Sequence, residues 1–95
     1  MSYELEFLEP ALKEWKKLDA NTREQFRRKL GERCENPHVP SARLRGATNR
    51  YKIKLRGVGY RLVYEVLDKE IVVLVIAIGR RERAEIYKTA SRRSR

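Results

Sequence analysis

Eight consecutive apolar residues, Ile71-Val72-Val73-Leu74-Val75-Ile76-Ala77-Ile78, constrain this chain more than any other feature. A run without polar alternation is expected of a strand covered on both faces. It is far too short to cross a bilayer. Its covers must therefore come from the rest of a 95-residue chain, which has room for one core, so residues 1–95 read as one domain. The run is expected to be the central strand of a small sheet that carries helices.

The remaining elements supply those helices and the other strands. Tyr3, Leu5 and Phe7 alternate with Glu4 and Glu6, the period of a half-buried strand. Pro10 suits the first turn of a short helix with Leu12, Trp15 and Leu18 on one side,. Asn21-Thr22-Arg23-Glu24 reads as a capping box, with Asn21 as the cap, opening a second helix,. Phe26, Leu30 and Cys34 form that helix's apolar edge, and it stops before Asn36-Pro37,. The segment from Pro37 to Asn49 is a connection. Gly79 is expected to end the central strand, Arg80 to Tyr87 to start a terminal helix, and the tail Thr89–Arg95 to fray. The order is β-α-α-β-β-β-α, an α+β fold with a helix hairpin packed on a four-stranded, mainly antiparallel sheet.

Between the connection and the central strand lies a hairpin whose register burial decides. A two-residue loop at Gly57-Val58 that pairs Leu55 with Tyr60, Ile53 with Leu62 and Lys54 with Arg61 collects Tyr51, Ile53, Leu55, Tyr60, Leu62 and Tyr64 on one face. A loop one residue longer would mix apolar and charged residues on both faces. The favoured register puts Lys52, Lys54 and Arg61 together on the outer face.

Charge points to the same segment. The chain carries 23 Lys and Arg against 13 Asp and Glu, for a net charge of +10. Asn36 to Tyr64 holds no acid, while Arg43, Arg45, Arg50, Lys52, Lys54, Arg56 and Arg61 give it +7. A basic block inside an otherwise balanced domain favours a polyanion partner, because clustered cations release counterions from phosphates. Cys34 alone cannot form an internal disulfide, and with His38 as the only histidine a Cys/His zinc site is not expected,. The N-terminus lacks the basic start and apolar stretch of a signal peptide, so a cytoplasmic protein without a membrane segment is expected.

Two lysines on a strand face with an arginine opposite repel one another. Phosphate binding is the simplest reason to keep them there. Crowded cations also lower a lysine pKa, which makes the amine a base near neutral pH. RNA carries its own nucleophile, the 2′-OH, so cations able to deprotonate it, stabilise the phosphorane and assist the 5′-oxygen could cleave RNA without a metal or other cofactor.

Ala11-Leu12-Lys13-Glu14-Trp15, Arg43-Leu44-Arg45-Gly46, Tyr51 to Arg56, Gly59 to Tyr64 and Gly79-Arg80-Arg81-Glu82-Arg83 through Tyr87 resemble the RelE toxins of bacterial toxin–antitoxin systems, almost from end to end. The resemblance implies a microbial-RNase-like fold and a metal-independent endoribonuclease that cuts mRNA in the ribosomal A site, leaving a 2′,3′-cyclic phosphate. It implies Lys54 as general base, Lys52 and Arg61 on the scissile phosphate, Arg81 at the leaving oxygen and Tyr87 against a nucleotide. Arg43, Arg45, Arg50, Arg56, Arg80 and Arg83 are the side chains expected on RNA, including 16S rRNA. The family often has lysine at the positions of Arg43 and Arg80, and both arginines keep the charge. An acidic, wrapping RelB-like antitoxin is implied as a further partner.

The residues by themselves leave alternatives. Trp15, Phe26 and Cys34 fit core positions, and spacing alone would make Tyr87 a docking residue of the last helix. Arg81 could pair with Glu85 one turn away. His38 falls in a proline-flanked loop outside the candidate strands. A ParE-like inhibitor of DNA gyrase and a basic ribosome-binding module without activity compete with the nuclease, and fold alone does not separate them.

Overall fold

In the computed structural model, which describes residues 2–80 and 85–95, the order is β-α-α-β-β-β-α. The elements are β1 (Glu4–Phe7), α1 (Glu9–Lys16), α2 (Ala20–Glu35), β2 (Arg50–Leu55), β3 (Tyr60–Leu67), β4 (Val72–Arg80) and α3 (Glu85–Arg92), with a 3-10 turn at Pro40–Ala42. The sheet runs β1-β4-β3-β2; β1 is parallel to β4 and the other pairs are antiparallel.

The expected central strand has cover on both faces. On one, Ala11, Leu18, Phe26, Leu30 and Cys34 from the helix hairpin region bury Ile53, Leu62, Tyr64, Val73, Val75 and Ile78. On the other, Ile86 and Ala90 of α3 bury Val63, Val72, Leu74, Ile76 and Ala77. Ile76 and Ala77 face the same way because of a β-bulge: Val63 pairs with Ala77 but Tyr64 pairs with Val75, leaving Ile76 without a partner on β3,.

Four boundaries differ from expectation. β4 begins at Val72, since Ile71 sits in the left-handed region (φ 58°), 37% exposed, closing a turn by donating its N–H to the Asp68 carbonyl at 3.3 Å. β4 runs past Gly79 to Arg80, because Arg61 and Tyr60 pair with those two residues. α2 starts two residues early, capped by Asp19, whose carboxylate accepts from the Thr22 N–H (3.1 Å) and hydroxyl (2.6 Å),. The tail does not fray through Arg93: its guanidinium makes a two-pronged pair with Glu14 of α1 (2.9 and 3.0 Å) and donates to the Ile76 carbonyl (2.9 Å). Glu14 also accepts the Ile78 N–H (3.0 Å). This ion pair therefore satisfies β4 backbone groups beyond the end of its pairing with β1.

The hairpin register is the one burial favours, with Lys54 opposite Arg61 and Tyr51 opposite Tyr64. The loop is longer than two residues: Gly59, at φ 72°, donates its N–H to the Leu55 carbonyl at 2.9 Å, enclosing residues 56–58,.

The Asp19 cap gives a pH-dependent contribution to stability. Hydrogen bonds from the Thr22 side chain and then its backbone hold the Asp19 carboxyl below its ordinary value. A carboxyl depressed in the folded state contributes fully above its unfolded pKa, about 3.9, and loses the contribution as pH falls through the folded value. Asp19→Ala is expected to lower Tm at pH 7, with the gap to wild type closing in acid. Thermal melts followed by circular dichroism at both pH values check this; a gap of constant size would reject the cap as its source.

Candidate functional site

Burial of one side of the hairpin determines what the other side displays. Tyr51, Ile53 and Leu55 are buried beneath the helix hairpin, so Lys52 and Lys54, alternating with them, stand on the outer face,. From the helix side, Arg33 donates to the Lys52 carbonyl (3.2 Å) and the Tyr64 hydroxyl (2.8 Å), and that hydroxyl donates to the Pro37 carbonyl (2.8 Å). The strand bearing the lysines is thus fixed from behind.

Arg61 lies directly across from Lys54 and on the same face. Lys52 first, then Arg61, slight desolvation and Arg56 all push the Lys54 amine below the ordinary lysine value, although it is exposed,. Tyr87 of α3 reaches the cluster from above: Arg61 Nη1 donates to its hydroxyl at 3.2 Å, and the guanidinium carbon lies 5.7 Å from the ring centroid,. Arg61 Nε is buried and meets no acceptor among the described residues. Two clefts flank this contact. One, of about 550 Å³, is lined by Arg45, Gly46, Lys52, Tyr87 and their neighbours; the other, of about 310 Å³, by Lys54, Leu55, Arg56, Tyr60 and Arg61.

The fold therefore brings together Lys52, Lys54, Arg61 and Tyr87, with Arg45 and Arg56 on the flanking clefts. Arg43 is exposed, its backbone bridged to Tyr51 at the edge of the hairpin. Arg80 leaves the group: it pairs with Tyr60 and its guanidinium stacks over that ring at 5.0 Å, on the helix-hairpin side. Arg50 lines the cleft shared by Lys52 and Tyr87, but Glu65 and backbone carbonyls of the C-terminal segment take up its guanidinium. Arg81 and Arg83, the Arg81–Glu85 pairing and the expected start of the terminal helix lie outside the described residues. His38 joins another network, with Nδ1 2.9 Å from the Tyr51 hydroxyl and Nε2 2.8 Å from Asp68, which also accepts from the Tyr3 hydroxyl at 2.7 Å.

Sequence reasoning missed the bond between Arg50 and Glu65, although the signal was present. The register that pairs Lys54 with Arg61 continues to pair Arg50 with Glu65, an opposite-charge pair across the strands.

Chemically, the outer face offers an exposed amine biased toward its neutral form, two neighbouring cations and an aromatic ring. That set can accept a proton beside a phosphate and stack a base. Among the described residues, no helix is long and apolar enough to cross a membrane.

Comparison with known proteins agrees in sequence and in fold. Residues 5–85 match the family model of the ParE toxin of type II toxin–antitoxin systems. The mRNA interferase toxin RelE of Escherichia coli strain K12 is 53% identical over 93 residues, covering 98% of each chain. The crystal structure of the isolated E. coli RelE toxin superposes with a TM-score of 0.84 at 51% identity, over 95% of this chain and 96% of that one. RelE in the intact E. coli RelBE toxin–antitoxin complex gives 0.82 at 52% identity, over 86% of this chain and all of the other.

Cation crowding also has a consequence for stability. A lysine whose pKa is depressed on folding weakens the folded state below that pKa, and the penalty disappears above the unfolded value, about 10.4. Lys54→Gln is therefore expected to raise Tm at pH 7, with the gain shrinking in high salt and toward pH 11. Melts across pH and salt check this; a lower Tm at pH 7 would contradict it.

Proposed function

As this chain belongs to the RelE group of the type II toxin–antitoxin toxins, we propose that it is an mRNA interferase, an endoribonuclease that cuts mRNA in the ribosomal A site. The observation that carries this reading is the juxtaposition of Lys54, with its lowered pKa, and Arg61, itself touching Tyr87.

In the proposed reaction, the neutral Lys54 amine takes the proton of the 2′-OH, and the 2′-oxygen attacks the adjacent phosphorus. The bond from phosphorus to the 5′-oxygen breaks, leaving a 2′,3′-cyclic phosphate and, after protonation, a 5′-hydroxyl. Lys52 and Arg61 oppose the charge that builds on the phosphorane oxygens. Arg81 serves the leaving oxygen by charge, a guanidinium being a very poor proton donor. Tyr87 supplies a face for a base. Arg43, Arg45, Arg56 and Arg83 supply phosphate contacts to mRNA and 16S rRNA, whereas the guanidinium of Arg50 is engaged within the protein and the exposed Arg80 stands over Tyr60 on the other side of the sheet.

The site of action is the cytoplasm, and a RelB-like antitoxin is the partner that silences the toxin. The matching family model bears the ParE name, so gyrase inhibition is the competing outcome. It would leave the lowered Lys54 pKa and the Arg61–Tyr87 contact without a task.

Primer extension on a translated message decides between them. Wild-type protein is expected to cut only when ribosomes are present, and chelator at a level that leaves ribosomes intact is expected not to stop it. Under single turnover with saturating protein, Lys54→Ala is expected to lose about 10²–10⁴ in rate, with little change in ribosome binding, because one charge contributes little to a large phosphate interface. Uncut message with wild-type protein, or a wild-type rate with Lys54→Ala, would overturn the assignment.

A further inference from the structure

α3 has eight residues, and only Ile86 and Ala90 are buried among them. A helix this short is not stable by itself, and so small an apolar contact needs help to fix its position. The help comes from two arginines near its C-terminal end. Arg93, just beyond the helix, is tied to Glu14 and the Ile76 carbonyl.

Arg50 is the less obvious of the two. It opens β2 on the same outer face as Lys52 and Lys54, and only 16% of its side chain is exposed. Its Nε donates to Glu65 at 2.8 Å, on the adjacent strand directly opposite. Its Nη1 donates to the Ala90 carbonyl, and its Nη2 to the Arg93 carbonyl at 2.6 Å. All three guanidinium nitrogens are engaged. The carbonyls at a helix C-terminus lack intrahelical partners and carry partial negative charge, so a cation anchored to the sheet by a carboxylate fits there. One turn back along α3 from Ala90 is Tyr87, whose hydroxyl meets Arg61. Arg50 and Arg61 thus lie under successive turns of one short helix.

We propose that Arg50 is a positioning residue, which grips the last turn of α3, holds Tyr87 against Arg61, and so acts on RNA cleavage through the helix. The part concerning cleavage rests on the function proposed above; the part concerning the helix does not. Glu65 shares the task by orienting the guanidinium. Arg50 therefore differs from the other cations of the basic segment in what its loss does.

Three measurements on the full chain test this. In Arg50→Ala, amide hydrogen exchange over residues 85–92 is expected to speed up by about tenfold or more while β4 amides keep their protection, marking local release of the helix. Arg50→Lys, which keeps the charge but has no planar fork, is expected to restore only part of that protection. In single-turnover cleavage, Arg50→Ala is expected to slow the reaction in the wild-type background and to add nothing once Tyr87→Ala is present. The salt dependence of ribosome binding should keep its slope, since no phosphate contact is lost. Unchanged exchange in α3, losses that multiply in the double variant, or a shallower salt slope would each overturn the proposal. If Arg50→Ala exposes β4 as well, Arg50→Lys carries the comparison, and wild-type protection there overturns it equally. A wild-type protein that fails to cut message would defeat the proposed function, while exchange would still decide whether Arg50 holds the helix.

Discussion

β4 has no polar side chain from Val72 to Ile78, and such a strand keeps its place only with both faces out of water. The helix hairpin covers one face and α3 the other. Burial of a side chain such as Ile86 is worth roughly 1.5–3 kcal/mol, so α3 is a light cover. The Glu14–Arg93 pair and the Arg50–Glu65 pair fix it at its C-terminal end, one turn and more beyond Tyr87. The bulge at Ile76 lets one strand serve both layers: it turns Ile76 and Ala77 together toward α3 and returns Ile78 to the helix hairpin.

The face that receives α3 is also the face that carries the cations. Along β3, Arg61, Val63 and Glu65 occupy one row, holding in turn Tyr87, the apolar side of α3 and the Arg50 clamp. The cleft lined by Tyr87 extends to the Arg50 clamp, and the second cleft lies at Arg61. The like charges there cost stability and give Lys54 its lowered pKa. Violations of local design rules of this kind are expected at functional sites.

The sheet was largely legible in the sequence because its signal is periodic. Alternation in Tyr51–Arg56 determines the hairpin register, and the apolar run marks the covered strand. The bulge left no trace, since with every neighbour apolar a slip in β4 buries no polar group. Asp19 and Asn21 are both good caps, and local pattern does not choose between them; the structure uses Asp19. The cation cluster followed from register and charge. The roles of Arg50 and Arg93 did not, because each depends on partners far along the chain: Arg50 meets the carbonyls of Ala90 and Arg93, and Arg93 meets Glu14. Arg80 was misplaced for a simpler reason: β4 outlasts its apolar run by two residues, and alternation sends Arg80 to the side opposite Arg61.

The parallel pairing of β1 with β4 has a consequence for how the chain comes into being. Residues Glu4–Phe7 find their partners only at Val72–Val75, so β1 waits for β4. Contacts between such distant segments form late and slowly. During synthesis from the N-terminus, the hairpin bearing Lys52, Lys54 and Arg61 emerges before β4 exists to support it, and Tyr87 and the Arg93 anchor emerge after that. A chain proposed to cut messages thus completes its working face only after β4 and α3 have both been made.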